Sequence, residues 1–239
     1  IKTKLIDSSI SQWDEILSVF NNSAINKDIL VYFKDDKLQN LIIEQGIAGE
    51  LKDTIGDYLM IVDANMNFSQ TDVMINRSID YKLEQSPNGL FAKLHVNYAH
   101  NGNAGDQASE YKTYTRVYVP LGSKLIKAEG MTAEKVDVKS ELGKTFFGVF
   151  ISIEPSQIGS LYFEYKLPVD IYYLVSNGQY ELYVQKQPGN KVEILTIDLE
   201  FINSIKSYNP IGFYANKIDS NHIRWESDLI MDRGFEVNF

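Results

Sequence analysis

The residues best placed to do chemistry lie in one stretch, Gly56 to Asp72, GDYLMIVDANMNFSQTD. An apolar run, Tyr58 to Val62, stops at Asp63; Asp63-x-Asn65-x-Asn67 follows, and Asp72 lies a little further on. Carboxylate and amide oxygens at this spacing are hard donors, the set that suits a divalent cation such as calcium. The pattern does not continue as a calcium-binding EF-hand loop. Phe68 stands where that loop needs glycine for its bend, and Met74 where it needs a bidentate Glu. What remains is an oxygen cluster of Asp63, Asn65 and Asp72, weighed against a simpler reading in which Asx turns end a strand. Asp36 and Arg77, the latter in the segment RSIDY, complete the candidate ligand-binding residues. No cofactor is expected, and a divalent cation at these oxygens has no further support in the sequence.

Other chemistries leave no signature. His95, His100 and His222 show no i,i+4 pair and no HExxH spacing, so no metal ligands are assigned. There is no GxSxG, no phosphate-binding Walker loop and no GxGxxG opening a helix. No catalytic residue is therefore assigned, and the chain is read as leaning away from catalysis. Tyr114, Tyr118, Tyr162 and Tyr183 are read as a possible flat aromatic platform for sugars, with sheet packing as the competing explanation.

The elements that must position these residues change character along the chain. Residues 9–22 carry a helical stripe of Ile10, Trp13, Ile16, Leu17 and Phe20, with Ser9 and Gln12 as a capping box and Trp13 as a core anchor. Ile29 to Phe33 is apolar at every position, as in a strand covered on both faces. A second helix follows, capped by Asp35 or Asp36, with Leu38, Leu41 and Ile42 inward and Gly46 as its stop. Tyr58–Val62 is then a second doubly covered strand. Strand, helix, strand of this kind predicts a parallel pair, which would bring Lys34-Asp35-Asp36 and Asp63-Ala64-Asn65 onto one rim, where open α/β sheets bind ligands.

From Val73 the period becomes two. Ile75, Ile79, Tyr81 and Leu83 face one way, Ser86-Pro87-Asn88-Gly89 turns the chain, and Ala92, Leu94, Val96 and Tyr98 return on the same face. Residues 100–110 read as a polar loop. Further strands are expected at about 111–119, 124–129, 145–153, 160–167, 180–187, 191–201, 211–217, 222–226 and 234–239, which indicates an antiparallel sandwich.

Composition bounds the partners. A formal net charge of -9 and a pI near 4.9 argue against nucleic acid, whose binders carry a basic stripe. With no cysteine, disulfide scaffolds, thiolate metal sites and Cys nucleophiles are excluded. No stretch has the length of a membrane span, and the first residues lack a signal-peptide pattern. The chain opens on Ile1 and is read as a piece of a longer protein, any export signal lying outside it.

The segments DILVYFKDDKLQNLI, GDYLMIVDANMNFSQTD, RSIDY, YKTYTRVYVPLGSKLIKAEG, ELGKTFFG and LYVQKQPG occur in this order. Together, from about Asp28 to the final DRGFEVNF, they resemble the C-terminal portion of the bacterial family catalogued as domain of unknown function 4012. The resemblance implies an exported protein with an N-terminal membrane anchor. It also implies an upstream part similar to the LytR-CpsA-Psr phosphotransferases, which attach glycopolymers to the cell wall. Those enzymes hold a polyprenyl pyrophosphate with arginines and a metal-binding aspartate. The matching upstream segments are absent, so no catalytic residue is carried over.

The fold expected is α+β: the C-terminal end of an α/β sheet domain over 1–72, then an antiparallel immunoglobulin-like β-sandwich over 73–239. The expected role is an extracytoplasmic cell-envelope module that binds a cell-wall glycan or a surface protein. It would meet the membrane only through an anchor outside this chain. The alternative is an accessory part of a cell-wall glycopolymer phosphotransferase.

Overall fold

A computed structural model describes residues 10–67, 71–103, 109–211 and 214–239. The chain divides into two compact units, Ile1–Leu51 with Pro188–Asn190, and Lys52–Gln187 with Lys191–Phe239.

The first unit holds helices α1 (Ile10–Ile25) and α2 (Asp36–Glu44). Asp35 caps α2: its side chain accepts from the backbone N–H of Lys37 at 3.0 Å and of Leu38 at 3.1 Å. Gly46 follows with φ +73, a value that glycine adopts without a side-chain clash. The capping Ser9 lies outside the described residues. Trp13 is exposed, as are Leu17 and Phe20, so the α1 stripe is no core anchor.

Ile29 to Phe33 is not a strand. It runs as an extended connection, tied by Val31 N–H to the Ile47 carbonyl at 3.0 Å and Phe33 N–H to Gln39 Oε1 at 2.9 Å. An apolar run of this length has no periodicity to distinguish a strand from a connection, and among the described residues this one has no neighbouring strand to pair with. The expected parallel pair, and with it the end of an α/β domain, is therefore absent.

The second unit begins with β1 (Asp57–Asn65). A 3₁₀ turn (Thr71–Met74) leads to β2 (Ile75–Ser86), β3 (Gly89–His100), β4 (Tyr111–Pro120), β5 (Lys124–Glu129), β6 (Asp137–Glu141), β7 (Lys144–Ile153) and β8 (Ile158–Lys166). Helix α3 (Val169–Ser176) precedes β9 (Gln179–Gln185), β10 (Ile194–Glu200), β11 (Ser207–Asn209), β12 (Ala215–Lys217), β13 (His222–Ser227) and β14 (Arg233–Asn238). Among the described residues no helix is long and apolar enough to cross a membrane.

Two seven-stranded sheets result. Sheet A runs β11-β14-β9-β1-β4-β7-β6 and sheet B runs β12-β13-β10-β2-β3-β8-β5. Both are mixed, which overturns the antiparallel immunoglobulin-like sandwich. In sheet A, β1 pairs parallel with β9, Tyr58 opposite Tyr183; in sheet B, β2 pairs parallel with β10, Ile79 opposite Leu195. Alternation and turn residues report a strand and its link to the next one. They carry no signal for a parallel neighbour arriving from a hundred residues away.

Period two explains the packing. Ile75, Ile79, Tyr81 and Leu83 of β2 are buried, as are Ala92, Leu94, Val96 and Tyr98 of β3, with Ser86 opposite Gly89 at the turn. β1 is covered on both faces from Asp57 to Ile61. Its inner side chains Leu59 and Ile61 join Phe147, Phe163, Ile197 and Trp225 in the core. Each such side chain contributes about 1.5–3 kcal/mol through removal from water. Helix α3 closes one end with Ile171 and Val175, four residues apart on one face.

Candidate functional site

Four of the five candidate residues meet in one network. Asp63, on the inner face of β1, accepts from Arg77 Nε at 2.8 Å, Tyr98 hydroxyl at 2.9 Å and Thr115 hydroxyl at 2.6 Å. Arg77 of β2 also donates to the Tyr111 hydroxyl at 2.8 Å and lies 3.6 Å from Asp72. Asn65 donates to Asp72 at 2.7 Å and to Thr71 at 3.2 Å, while its side-chain oxygen caps the Asn67 N–H at 2.9 Å. That last bond is the Asx turn expected at this strand end. Burial pulls the Arg77 guanidinium toward deprotonation, and the Asp63 carboxylate, with Tyr111 and Tyr98, more than reverses the effect and holds it above its ordinary range. The Tyr98 hydroxyl is held well above its usual range, first by burial and then by the Asp63 charge.

The centre of this network is closed to solvent, and Asp72 at its edge is partly exposed. Asp63 and Arg77 are buried, and the Asp63 side chain accepts from three donors contributed by β2, β3 and β4. It joins sheet A, through β1 and β4, to sheet B, through β2 and β3. Asp36 is exposed at the first turn of α2, in the first unit. The parallel strands that would have carried it to the Asp63 rim do not form. Among the described residues, no group of three or more His, Asp and Glu side chains is placed to hold a metal ion.

A second buried carboxylate, Asp57, was not among the candidates. It sits at the other end of the inner face of β1, 1% exposed. It accepts from Tyr180 hydroxyl at 2.6 Å, Tyr81 hydroxyl, and the Tyr58 backbone N–H at 2.7 Å. The fully buried Tyr165 hydroxyl lies beside Tyr81, outside hydrogen-bonding geometry. Among the described residues no cation reaches Asp57, and burial pushes its pKa up to about 6 against the three hydrogen bonds that pull it down. Period two would have found this residue, because Asp57, Leu59, Ile61 and Asp63 share one face.

The outer face of sheet A is aromatic. Three registers cross it: Ala64, Tyr114 and Phe150; then Val62, Arg116 and Gly148; then Met60, Tyr118 and Phe146. The last of these is buried, while Tyr114 and Arg116 are half-buried and Phe150 is 45% exposed. The Tyr114 and Phe150 rings lie 4.7 Å apart, and the Arg116 guanidinium is 5.4 Å from each of the Tyr114 and Phe146 rings. Gly148 makes room for the Tyr114 ring, since a Cβ there would lie 2.1 Å from the phenol oxygen. Tyr114 is pinned through its hydroxyl to Asp137 at 2.9 Å, and Arg116 reaches Glu141 at 3.4 Å. Of the four tyrosines expected to form a platform, Tyr114, Tyr118 and Tyr183 are on this face. Tyr162 is on the outer face of sheet B, against His95 at 4.8 Å.

No protein-family model and no curated protein matches the chain. Among solved structures, a candidate nutrient binding protein from Legionella pneumophila is 8% identical, with 77% of this chain and 71% of that one covered and a TM-score of 0.49. Leukotriene A4 hydrolase from Saccharomyces cerevisiae is 11% identical over 69% of this chain, with a TM-score of 0.40. An M1 zinc metallopeptidase from Deinococcus radiodurans is 10% identical over 69% of this chain, with a TM-score of 0.36. The chain spans 29% of the hydrolase and 42% of the peptidase.

Proposed function

We propose that the second unit is a binding module for a glycan chain of the cell envelope, taken on the outer face of sheet A at Tyr114, Arg116 and Phe150. The carrying observation is the Tyr114–Phe150 ring pair on the outer face of the sheet, Phe150 exposed and Tyr114 half-buried, their planes 47° apart and Tyr114 held by Asp137 and Gly148. Flat apolar rings accept the C–H faces of sugars, and the guanidinium and carboxylates beside them bind hydroxyls. A pre-positioned platform loses little side-chain entropy when the ligand arrives. The envelope setting is supported by the resemblance that the sequence segments carry.

The test is retention of the full chain on insoluble bacterial cell-wall polysaccharide, with Tyr114→Ala and Phe150→Ala alongside. The wild type should be retained, and each variant weakened about fivefold to tenfold, the worth of one aromatic contact. A wild type that flows through, or variants retained equally, would overturn the reading.

A further inference from the structure

A second groove lies on the same face of sheet A, at the Asp57 end of β1. Two adjoining cavities of about 310 and 190 Å³ share Ile55, Gly56 and Glu181. Glu181 and Tyr183 of β9 with Gly234 and Glu236 of β14 floor the larger one, and residues 52–56 cross it as a strap. Gly56 lets the strap lie down, because a Cβ there would come within 2.6 Å of the Glu181 carbonyl oxygen. Gly234 opens the floor, since nothing lies within 4 Å of where its Cβ would be.

The charges in this groove are unbalanced. Glu181 and Glu236 stand directly opposite each other across antiparallel strands, an arrangement of like charges that destabilises a sheet. Among the described residues neither of them, nor Asp53 on the strap, is ion-paired, although carboxylates elsewhere on the sheets are; Glu181 accepts only from the neutral side-chain amide of Gln179. Lys52 on the strap holds its ammonium over the Tyr183 ring at 4.9 Å instead, and Lys144, which donates to Thr54 at 3.4 Å, is the cation that Asp53 faces. These carboxylates are not grouped to ligate a metal ion. Beside them Ile55 is 86% exposed, and Leu174 lines the smaller cavity.

We propose that this groove docks an extended peptide segment of a partner protein, with an arginine between Glu181 and Glu236 and a neighbouring aliphatic residue against Ile55 and Leu174. A guanidinium fork presents its donors in a plane and can satisfy two carboxylates together, which a point charge does less well. The cavity volume is at the lower end of ligand-sized sites and suits one long side chain and its neighbour. The groove is separate from the aromatic rows, so this assignment goes beyond the glycan reading and stands without it.

The experiment is a fluorescence anisotropy titration of the full chain with labelled acetyl-Leu-Arg-Leu-Arg-amide, and with its Leu-Gln-Leu-Gln counterpart as control. Saturable binding of the arginine peptide alone is expected. The double variant Glu181→Gln/Glu236→Gln should weaken it by about fivefold or more, the sum of two exposed ion pairs. Gly234→Val, which fills the floor and leaves every charge in place, should weaken it comparably. Circular dichroism establishes that each variant is folded, and either one alone suffices for the comparison. Absence of saturable binding, equal affinity for the glutamine peptide, or unchanged affinity in both variants would each overturn the proposal. Spermidine competing as strongly as the peptide would overturn the peptide assignment in favour of a small polyamine.

Discussion

Replacing Asp57 with Asn separates the charge of this group from its shape. The carboxyl titrates near pH 6 in the folded protein, against 3.8 for an unburied aspartate. That difference corresponds to about 3 kcal/mol between its two charge states. Because the folded value is the higher one, the native state holds the proton more tightly than the unfolded chain. Below about pH 4 both states are protonated and the group imposes no penalty; above about pH 6 both are ionised and the penalty is complete. Stability from this group therefore falls as pH rises through that window. The Asn variant cannot titrate, so its stability relative to wild type should improve by about 3 kcal/mol between about pH 4 and pH 7. The amide keeps an acceptor for the Tyr58 N–H, and the Tyr81 hydroxyl can turn toward the unpartnered Tyr165 oxygen. The assay is urea unfolding at a series of pH values, followed by the fluorescence of buried Trp225. All other carboxylates are common to both proteins and cancel in the difference. A difference that stays constant across the series would refute the argument that Asp57 is ionised at a penalty in the core.

Two further substitutions test the packing. Arg77→Met leaves Asp63 buried without its cation and should destabilise by about 3–5 kcal/mol; pairing it with Asp63→Asn should recover part of that loss in urea unfolding, and strictly additive losses would show that the two do not act as a pair. Gly148→Ala should drive the Tyr114 ring from its seat and cost about 1 kcal/mol of thermal stability. The same change should weaken polysaccharide retention, and unchanged retention would mean that the Tyr114 seat does not shape the binding surface.

Local features of this fold were legible in the sequence, and long-range ones were not. The β2–β3 hairpin followed from strict alternation on both sides of a two-residue turn, information contained within some twenty-six residues. The α2 start followed from Asp35, whose capping bonds reach only two and three residues ahead. Strands β9 and β10 were expected, but their parallel pairing with β1 and β2 was invisible because nothing local in β1 or β2 encodes it. Ile29–Phe33 misled for the opposite reason: its apolar run is strand-like, but pairing needs a neighbouring strand, and among the described residues it has none. The edge strand β6, exposed at three of its five positions and charged at three, carries too little apolar pattern to read as a strand at all.

The candidate residues show the same division. Asp63, Asn65, Asp72 and Arg77 come together because the chain crosses from sheet A to sheet B within that short span, so sequence proximity became spatial proximity. Asp57 was passed over because its partners Tyr81 and Tyr180 arrive from distant strands. Yet the two aspartates occupy equivalent places, one at each end of the inner face of β1. Asp63 is met by a guanidinium, whereas Asp57 is met only by hydroxyls and a backbone amide. A neutral hydrogen-bond set offsets less of the desolvation of a charge than a buried cation does. The electrostatic burden of the sandwich core therefore falls at the Asp57 end, beneath the strap that crosses the acidic groove, and protonation there should be felt first.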